Sequence, residues 1–217
     1  MIDESGATLY TSAAELRAAL GIPSELAARK VRTQLDKYAR AFIERSPFVV
    51  LGTASVSGAG DVSPRGDVPG FVLVVDDRTL FLPERPGNAR YDSLLNIVEN
   101  PAVALLFFVP GFDDMLRVNG RGTVLHHPGL LARCAVNGKV PHVGIRVQVE
   151  EAFLHCAKAL RRGKLWDSAT CQDRKALPTL GRMILEQLAD AGEMSLAEGQ
   201  IAAVDTAIEE NYRQSLY

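Results

Sequence analysis

Two hydrophobic periods divide this chain. Near the N-terminus, Leu26, Val31, Leu35, Tyr38, Phe42 and Ile43 recur at three- to five-residue steps, as the apolar face of a helix does. Ser12 is placed to cap a short helix ending at Leu20, where Gly21-Ile22-Pro23 breaks it. Ser24 is placed to cap a longer helix over residues 25–45. Arg29, Lys30, Arg32, Lys37 and Arg40 fill the other positions and read as a solvated face.

From Pro47 the period shortens. PFVVLGTASV, FVLVVDD, TLFLPE, AVALLFFVP, LRVNGRGTVLH and HVGIRVQVEEAFL are rich in Val, Phe, Leu and Thr and are bounded by Gly, Pro or Asp, the signature of strands. Asp76-Asp77-Arg78 reads as a tight hairpin turn. Alternation is clearest where Ile145, Val147 and Val149 point one way and Arg146, Gln148 and Glu150 the other. One helix, residues 89–100, interrupts the strands and ends at Asn100-Pro101. Helix returns over residues 156–162, 180–191 and 196–212, the last with Ser195 as its cap. Strands in a row with one inserted helix predict a mainly β, α+β domain, a barrel or a sandwich. The division is a helical extension over 1–46, a core over 47–154 and a second helical extension over 155–217, all in one domain.

Composition narrows the classes. Hydrophobic residues at 47% and charged residues at 23% are ordinary for a globular chain. A net charge of −2 gives no global field for nucleic acid or an anionic membrane, so any anion site must come from local clustering. No apolar run is long enough to span a bilayer, and the acidic N-terminus does not resemble a signal peptide. Cys134, Cys156 and Cys171 are odd in number and widely spaced, which fits reduced thiols and a cytoplasmic location. Cys134, in an apolar helix, is expected to be buried and inert.

The candidate chemistry sits in VSPRGDVPGFVLVVDDRTLFLPERPGNARYDSLLNIVENPAVALLFF. Arg65 ends one strand, and Arg85, Asn88, Arg90 and Ser93 fall at a strand-to-helix junction. A helix start offers unpaired amides and the positive end of its dipole, so guanidinium, amide and hydroxyl groups there can cradle a phosphate. The same arginines could instead pair with Glu84, Asp92 or Glu99 on an ordinary surface. His126, His127, His142 and His155 with Cys156 and Cys171 match no zinc spacing. There is no G-x-S-x-G elbow and no strand-borne G-x-G-x-x-G.

The order of a polar Ser-Pro-Arg-Gly-Asp strand, an apolar hairpin and then GNARYDSLLNIVENPAVALLFF resembles the pyridoxamine 5′-phosphate oxidase-like flavoproteins. The resemblance covers residues 39–166 and is strongest over 63–108; HCAKALRRGKLWD resembles a C-terminal block of one bacterial subgroup of FMN-dependent enzymes. It implies the FMN-binding split β-barrel fold and a homodimer with the cofactor site at the subunit interface. Asn88, Arg90 and Ser93 would hold the flavin phosphate, with Arg85 beside them. Arg65 would meet phosphate or ring, the backbone of Gly66 and Asp67 the ring edge, and the backbone of Leu82, Pro83 and Glu84 the other side. Lys158, Arg162 and Trp166 would reach the partner's flavin.

The resemblance also has gaps. After Trp166 the chain reads DSATCQDRKALP, with Arg174 but no following His, so the substrate grip of true pyridoxamine phosphate oxidases is missing. Their usual lysine at the helix start is absent, with Arg90 the nearest replacement, and their flavin-contacting glutamine has no clear counterpart, Met115 or Arg117 lying near that position. What the resemblance implies is an FMN-dependent oxidoreductase acting on an unknown small molecule, with NAD(P)H or an organic compound as donor. The alternative is a non-catalytic carrier or sensor of flavin or haem, with His126, His127 and His155 as haem candidates. A deazaflavin would suit the same basic cradle.

Overall fold

In the computed structural model, which describes residues 5–197 and 199–217, the strands form one antiparallel sheet. They are β1 (Phe48–Ala54), β2 (Gly60–Gly66), β3 (Leu73–Val74), β4 (Thr79–Pro83), β5 (Ala102–Phe108), β6 (Met115–Leu125) and β7 (Gly144–His155), in the spatial order β2-β1-β5-β6-β7-β4-β3. Period-two alternation sends Val49 and Leu51, Leu105 and Phe107, Leu116 and Val118, Ile145 and Val147, and Leu80 and Leu82 into one apolar cluster. Side chains from β1 on one side of the sheet to β4 on the other therefore share a single core. This is the α+β, split-barrel arrangement that the strand pattern and the resemblance predict.

The run TLFLPE has no polar alternation because β4 is buried on both faces. Leu80 and Leu82 enter the main core, while Phe81 packs outside it against Leu131 and Cys134 under α5 (Pro128–Arg133). In β7 the alternation predicted for Ile145, Val147 and Val149 holds, then changes phase. Between Asn119 and Gly120 of β6 the register jumps, so Glu150 is the extra residue and Ala152 turns inward.

The predicted helix over 25–45 is two helices. Ser24 caps α2 (Glu25–Arg29), as expected, but Asp36 caps α3 (Lys37–Arg45) through the amides of Tyr38 and Ala39 at 2.9 and 2.8 Å. Between them Arg32 exchanges backbone hydrogen bonds with Ala152 at 2.9 and 2.7 Å. The cause is the length of β7, which continues past the end of β4 and offers free backbone groups to the linking segment. Leu35, Ala39, Phe42 and Ile43 then close one side of the core, whereas α1 (Ala13–Leu20) and α2 bury no residue.

Other boundaries move for local reasons. The FVLVVDD segment forms strand only at Leu73–Val74, although Phe71 and Val72 are buried. Arg78 donates its amide to Asp76 at 2.7 Å, closing the turn predicted there. The inserted helix α4 begins at Asp92 and ends at Glu99, so Asn88 and Arg90 precede it. Downstream lie α6 (Lys158–Gly163), α7 (Leu180–Asp190) and α8 (Gln200–Gln214); α8 is preceded by Gly199 in a left-handed conformation, so Ser195 is not its cap. No described helix is long and apolar enough to cross a membrane.

Gly144 is a tight position, where an added Cβ would run into the Phe81 ring and the Leu82 carbonyl. Gly144→Ala is expected to destabilise the fold by about 1–3 kcal/mol through overpacking, read from urea unfolding.

Candidate functional site

Strand β4 and strand β5 are neighbours in sequence but not in the sheet, so α4 must cross the barrel to join them. A polar network pins it. Asp61 Oδ2 accepts from Ser93 Oγ at 2.7 Å and from Thr53 Oγ1 at 3.1 Å, while Asn96 Nδ2 donates to Thr53 Oγ1 at 3.1 Å. Ser93 is therefore buried and committed to positioning the helix.

Between β2 and the 83–93 segment lies a groove of about 460 Å³. Its walls include Asp61, Ser63, Arg65 and Gly66 on one side and Pro83, Glu84, Arg85, Asn88, Arg90 and Asp92 on the other, with Phe71 also contributing. Asp61, Ser63 and Arg65 share a face because they alternate along β2. Ala89 and Tyr91 hold positive φ values of 57° and 56°, a costly conformation for residues with a Cβ. These two turns set Arg90 at the groove. Tyr91 provides no side-chain cap, so the first amides of α4 are open to another acceptor.

The three arginines are held differently. Arg65 pairs with Glu84 and donates from Nε to Ser63 Oγ at 2.8 Å. Arg85 Nε meets Asp67 Oδ2 at 2.5 Å, with the Asp67 side chain wholly buried. Arg90 Nε meets Asp92 Oδ2 at 2.7 Å, but its side chain is 71% exposed. Hydrogen bonding to Asp92 raises the Arg90 pKa above its ordinary value. Of the acids suggested as partners, Glu84 and Asp92 take that role; the pairs of Arg85 with Asp67, and of Ser93 with Asp61, are seen only in three dimensions.

The residues expected here do not all converge. Arg65, Gly66, Pro83, Glu84, Arg85, Asn88, Arg90 and Ser93 line the groove. Leu82 lies in the core and Asp67 beneath Arg85. Arg117, Lys158, Arg162 and Trp166 do not line it within one chain. Arg117 stacks over Phe153 at 5.4 Å and donates to Asn119 at 3.2 Å. Trp166 donates from Nε1 to the Phe112 carbonyl at 2.7 Å, and Arg161 of the same block pairs with Asp113 at 2.8 Å.

Sequence reading missed Asp61, Tyr91 and Tyr217. The regular polar positions of β2 hinted at Asp61; nothing local links Tyr217 to Asp67, yet their side chains meet at 2.9 Å. The histidines are dispersed: His126 Nδ1 lies 2.7 Å from the His142 carbonyl, and His127 Nδ1 caps α5 by accepting from Leu130 at 3.2 Å. Burial and the nearby Lys30 and Arg117 charges lower the His155 pKa. Among the described residues no group of three or more His, Cys, Asp or Glu is placed to hold a metal.

A family model described as pyridoxamine 5′-phosphate oxidase matches residues 35–156. Among solved structures, Group A Streptococcus HupZ is similar at 15% identity, covering 55% of this chain and 93% of that one, with a TM-score of 0.46. General Stress Protein 26 from Bacillus anthracis is similar at 16% identity, covering 52% and 88%, with a TM-score of 0.42. An FMN-binding protein from Syntrophomonas wolfei is similar at 14% identity, covering 54% and 84%, also with a TM-score of 0.42. No curated protein matches the chain.

Two expectations follow from the site. Asp67→Asn removes the counter-charge of the 16%-exposed Arg85 side chain and should cost about 3 kcal/mol in denaturant unfolding. Cys156 and Cys171 are exposed, whereas Cys134 is buried with its pKa pushed up by burial. A thiol reagent at neutral pH should therefore modify Cys156 and Cys171 in the folded protein and Cys134 only after unfolding.

Proposed function

The chain belongs to the pyridoxamine 5′-phosphate oxidase family, and on that footing we propose that it is an FMN-dependent oxidoreductase with its cofactor in the groove between β2 and the 83–93 segment. The observation that carries this reading is the convergence of Arg65, Arg85, Asn88 and Arg90 beside the uncapped start of α4. A cluster of guanidinium groups and open amides suits a phosphate, and Pro64, Phe71 and Pro83 offer apolar surface to a planar ring.

Magnitudes decide which arginine serves the phosphate. The Arg90–Asp92 pair is largely exposed, and such pairs contribute only about 0–1 kcal/mol. Diverting Arg90 to a phosphate therefore costs little. The Arg65–Glu84 and Arg85–Asp67 pairs are shielded from solvent, and breaking a buried pair costs about 3–5 kcal/mol. Those two arginines act as fixed walls. Arg90, Asn88 and the first amides of α4 bind the phosphate, and Ser93 holds that helix in place through Asp61. Arg65, the backbone of Gly66 and Asp67, and the backbone of Leu82, Pro83 and Glu84 orient the ring.

The chemistry that FMN supplies when bound is two-electron transfer; the chain supplies binding, orientation and a shaped substrate side. NAD(P)H or a small organic donor is the reductant in this proposal. A second copy of the chain completes the site, bringing Arg117, Lys158, Arg162 and Trp166 to the partner's cofactor. The missing C-terminal His argues against vitamin B6 phosphate as the substrate.

Titration of the purified protein with FMN should give a bound-flavin visible spectrum that a donor bleaches and an acceptor restores. Protein that never acquires flavin absorbance would overturn the cofactor; bound flavin that no biological donor reduces would favour a carrier or sensor. Arg90→Ala should weaken FMN binding by about 1.5–3 kcal/mol, the contribution of a charge-assisted phosphate bond, with unchanged thermal stability.

A further inference from the structure

Next to the proposed cofactor groove is a second, larger pocket of about 800 Å³, within the range of small-molecule sites. The two share Glu84, Arg85, Pro86 and Tyr91 as a common wall. The second pocket is the more apolar, with Leu94, Val124, Val140, Pro141 and Val143 in its lining, and Lys139 and His142 as polar groups.

Tyr217 forms part of this pocket's wall, and its contacts report on the chemistry there. Its hydroxyl donates to Asp67 Oδ1 at 2.9 Å, and its ring lies 5.5 Å from the Arg85 guanidinium carbon. Its main-chain oxygen accepts from Lys139 Nζ at 2.6 Å. The receiving carboxylate is no surface group. The Asp67 side chain is wholly buried, with its other oxygen on Arg85 and Oδ1 also accepting the Val68 amide at 2.7 Å. The hydrogen bond to Asp67 holds the Tyr217 phenol above its ordinary pKa, so it stays a donor. Three contacts along one tyrosine thus mark an acceptor for a phenol, a cation against an aromatic face, and an ammonium for an oxygen beyond the ring.

We propose that this pocket binds a para-hydroxylated aromatic carboxylate, its hydroxyl on Asp67, its ring on Arg85 and its carboxylate on Lys139, and that Tyr217 is an internal occupant which the ligand displaces. A ligand carboxylate at that position makes a charge-assisted hydrogen bond with the Lys139 ammonium. A ligand without the hydroxyl loses one of the two hydrogen bonds to Asp67 Oδ1, leaving the Val68 amide as its partner. The shared wall sets such a ligand beside the cofactor groove; its role as substrate rests on the flavin reading, whereas its binding does not.

Calorimetry on the full chain with N-acetyl-L-tyrosine as probe tests the inference, using N-acetyl-L-phenylalanine and N-acetyl-L-tyrosinamide as matched analogues. Tyr217→Ala should bind the probe at least about tenfold more tightly than the unaltered chain, since the internal competitor is gone. In that background the probe should exceed each analogue by about tenfold, and Lys139→Gln should reduce it to the level of the amide. Equal affinity with and without Tyr217, absence of binding, or no preference over the analogues would overturn the inference. Should Tyr217→Ala fail to fold, Tyr217→Phe, which loses only the hydroxyl, should still gain affinity, and no gain there overturns it equally. FMN titration of the same proteins separates the two readings. Probe binding without FMN binding supports this site and removes the flavin; FMN binding without probe binding does the reverse.

Discussion

Asp61 anchors the helix on which the groove depends. Its Oδ2 accepts from both Ser93 and Thr53, and Asn96 closes the network onto Thr53. The helix needs such an anchor because the chain leaves β4 near one end of the sheet and re-enters at β5, next to β1. Leu94 and Ile97 bury the apolar side of α4 in the core, but apolar burial is non-directional. The hydrogen bonds supply the direction, holding the first turn of α4 against β2 and opening the groove between them.

A division of charge follows. Inside, Arg65 and Arg85 are locked by carboxylates that solvent barely reaches, so they give the walls a fixed shape. Outside, Arg90 is paired with an exposed neighbour, Asp92, and its own side chain stays in solvent. Arg85 also lines the second pocket, where Tyr217 contacts both Arg85 and the Asp67 beneath it. The two cavities thus share a wall in which Arg85 is fixed by a buried carboxylate.

The barrel was legible in the sequence because burying one face of a strand demands a period of two, as Ile145, Val147 and Val149 display. Its irregularities were not. The bulge opposite Asn119 and Gly120 inverts the pattern after Val149, and a single strand carries no mark of where its neighbour will slip. The break of the 25–45 helix came from the overhanging end of β7, more than a hundred residues away in sequence. Local helical spacing cannot register that demand.

By itself, the sequence determined the strand periodicity, the inserted helix, the placement of most polar groups now lining the groove, and the family resemblance. Those are properties of short stretches, in which side-chain spacing and turn residues act over a few positions. Tertiary structure alone decided which charges are paired and how firmly. It turned Ser93 inward to Asp61, set Arg85 over Asp67, left Arg90 exposed, and brought Tyr217 back to residues 150 positions earlier. The reason is physical: the strength and availability of a charge depend on solvent exclusion and on neighbours from distant segments, and neither exists until the chain has folded.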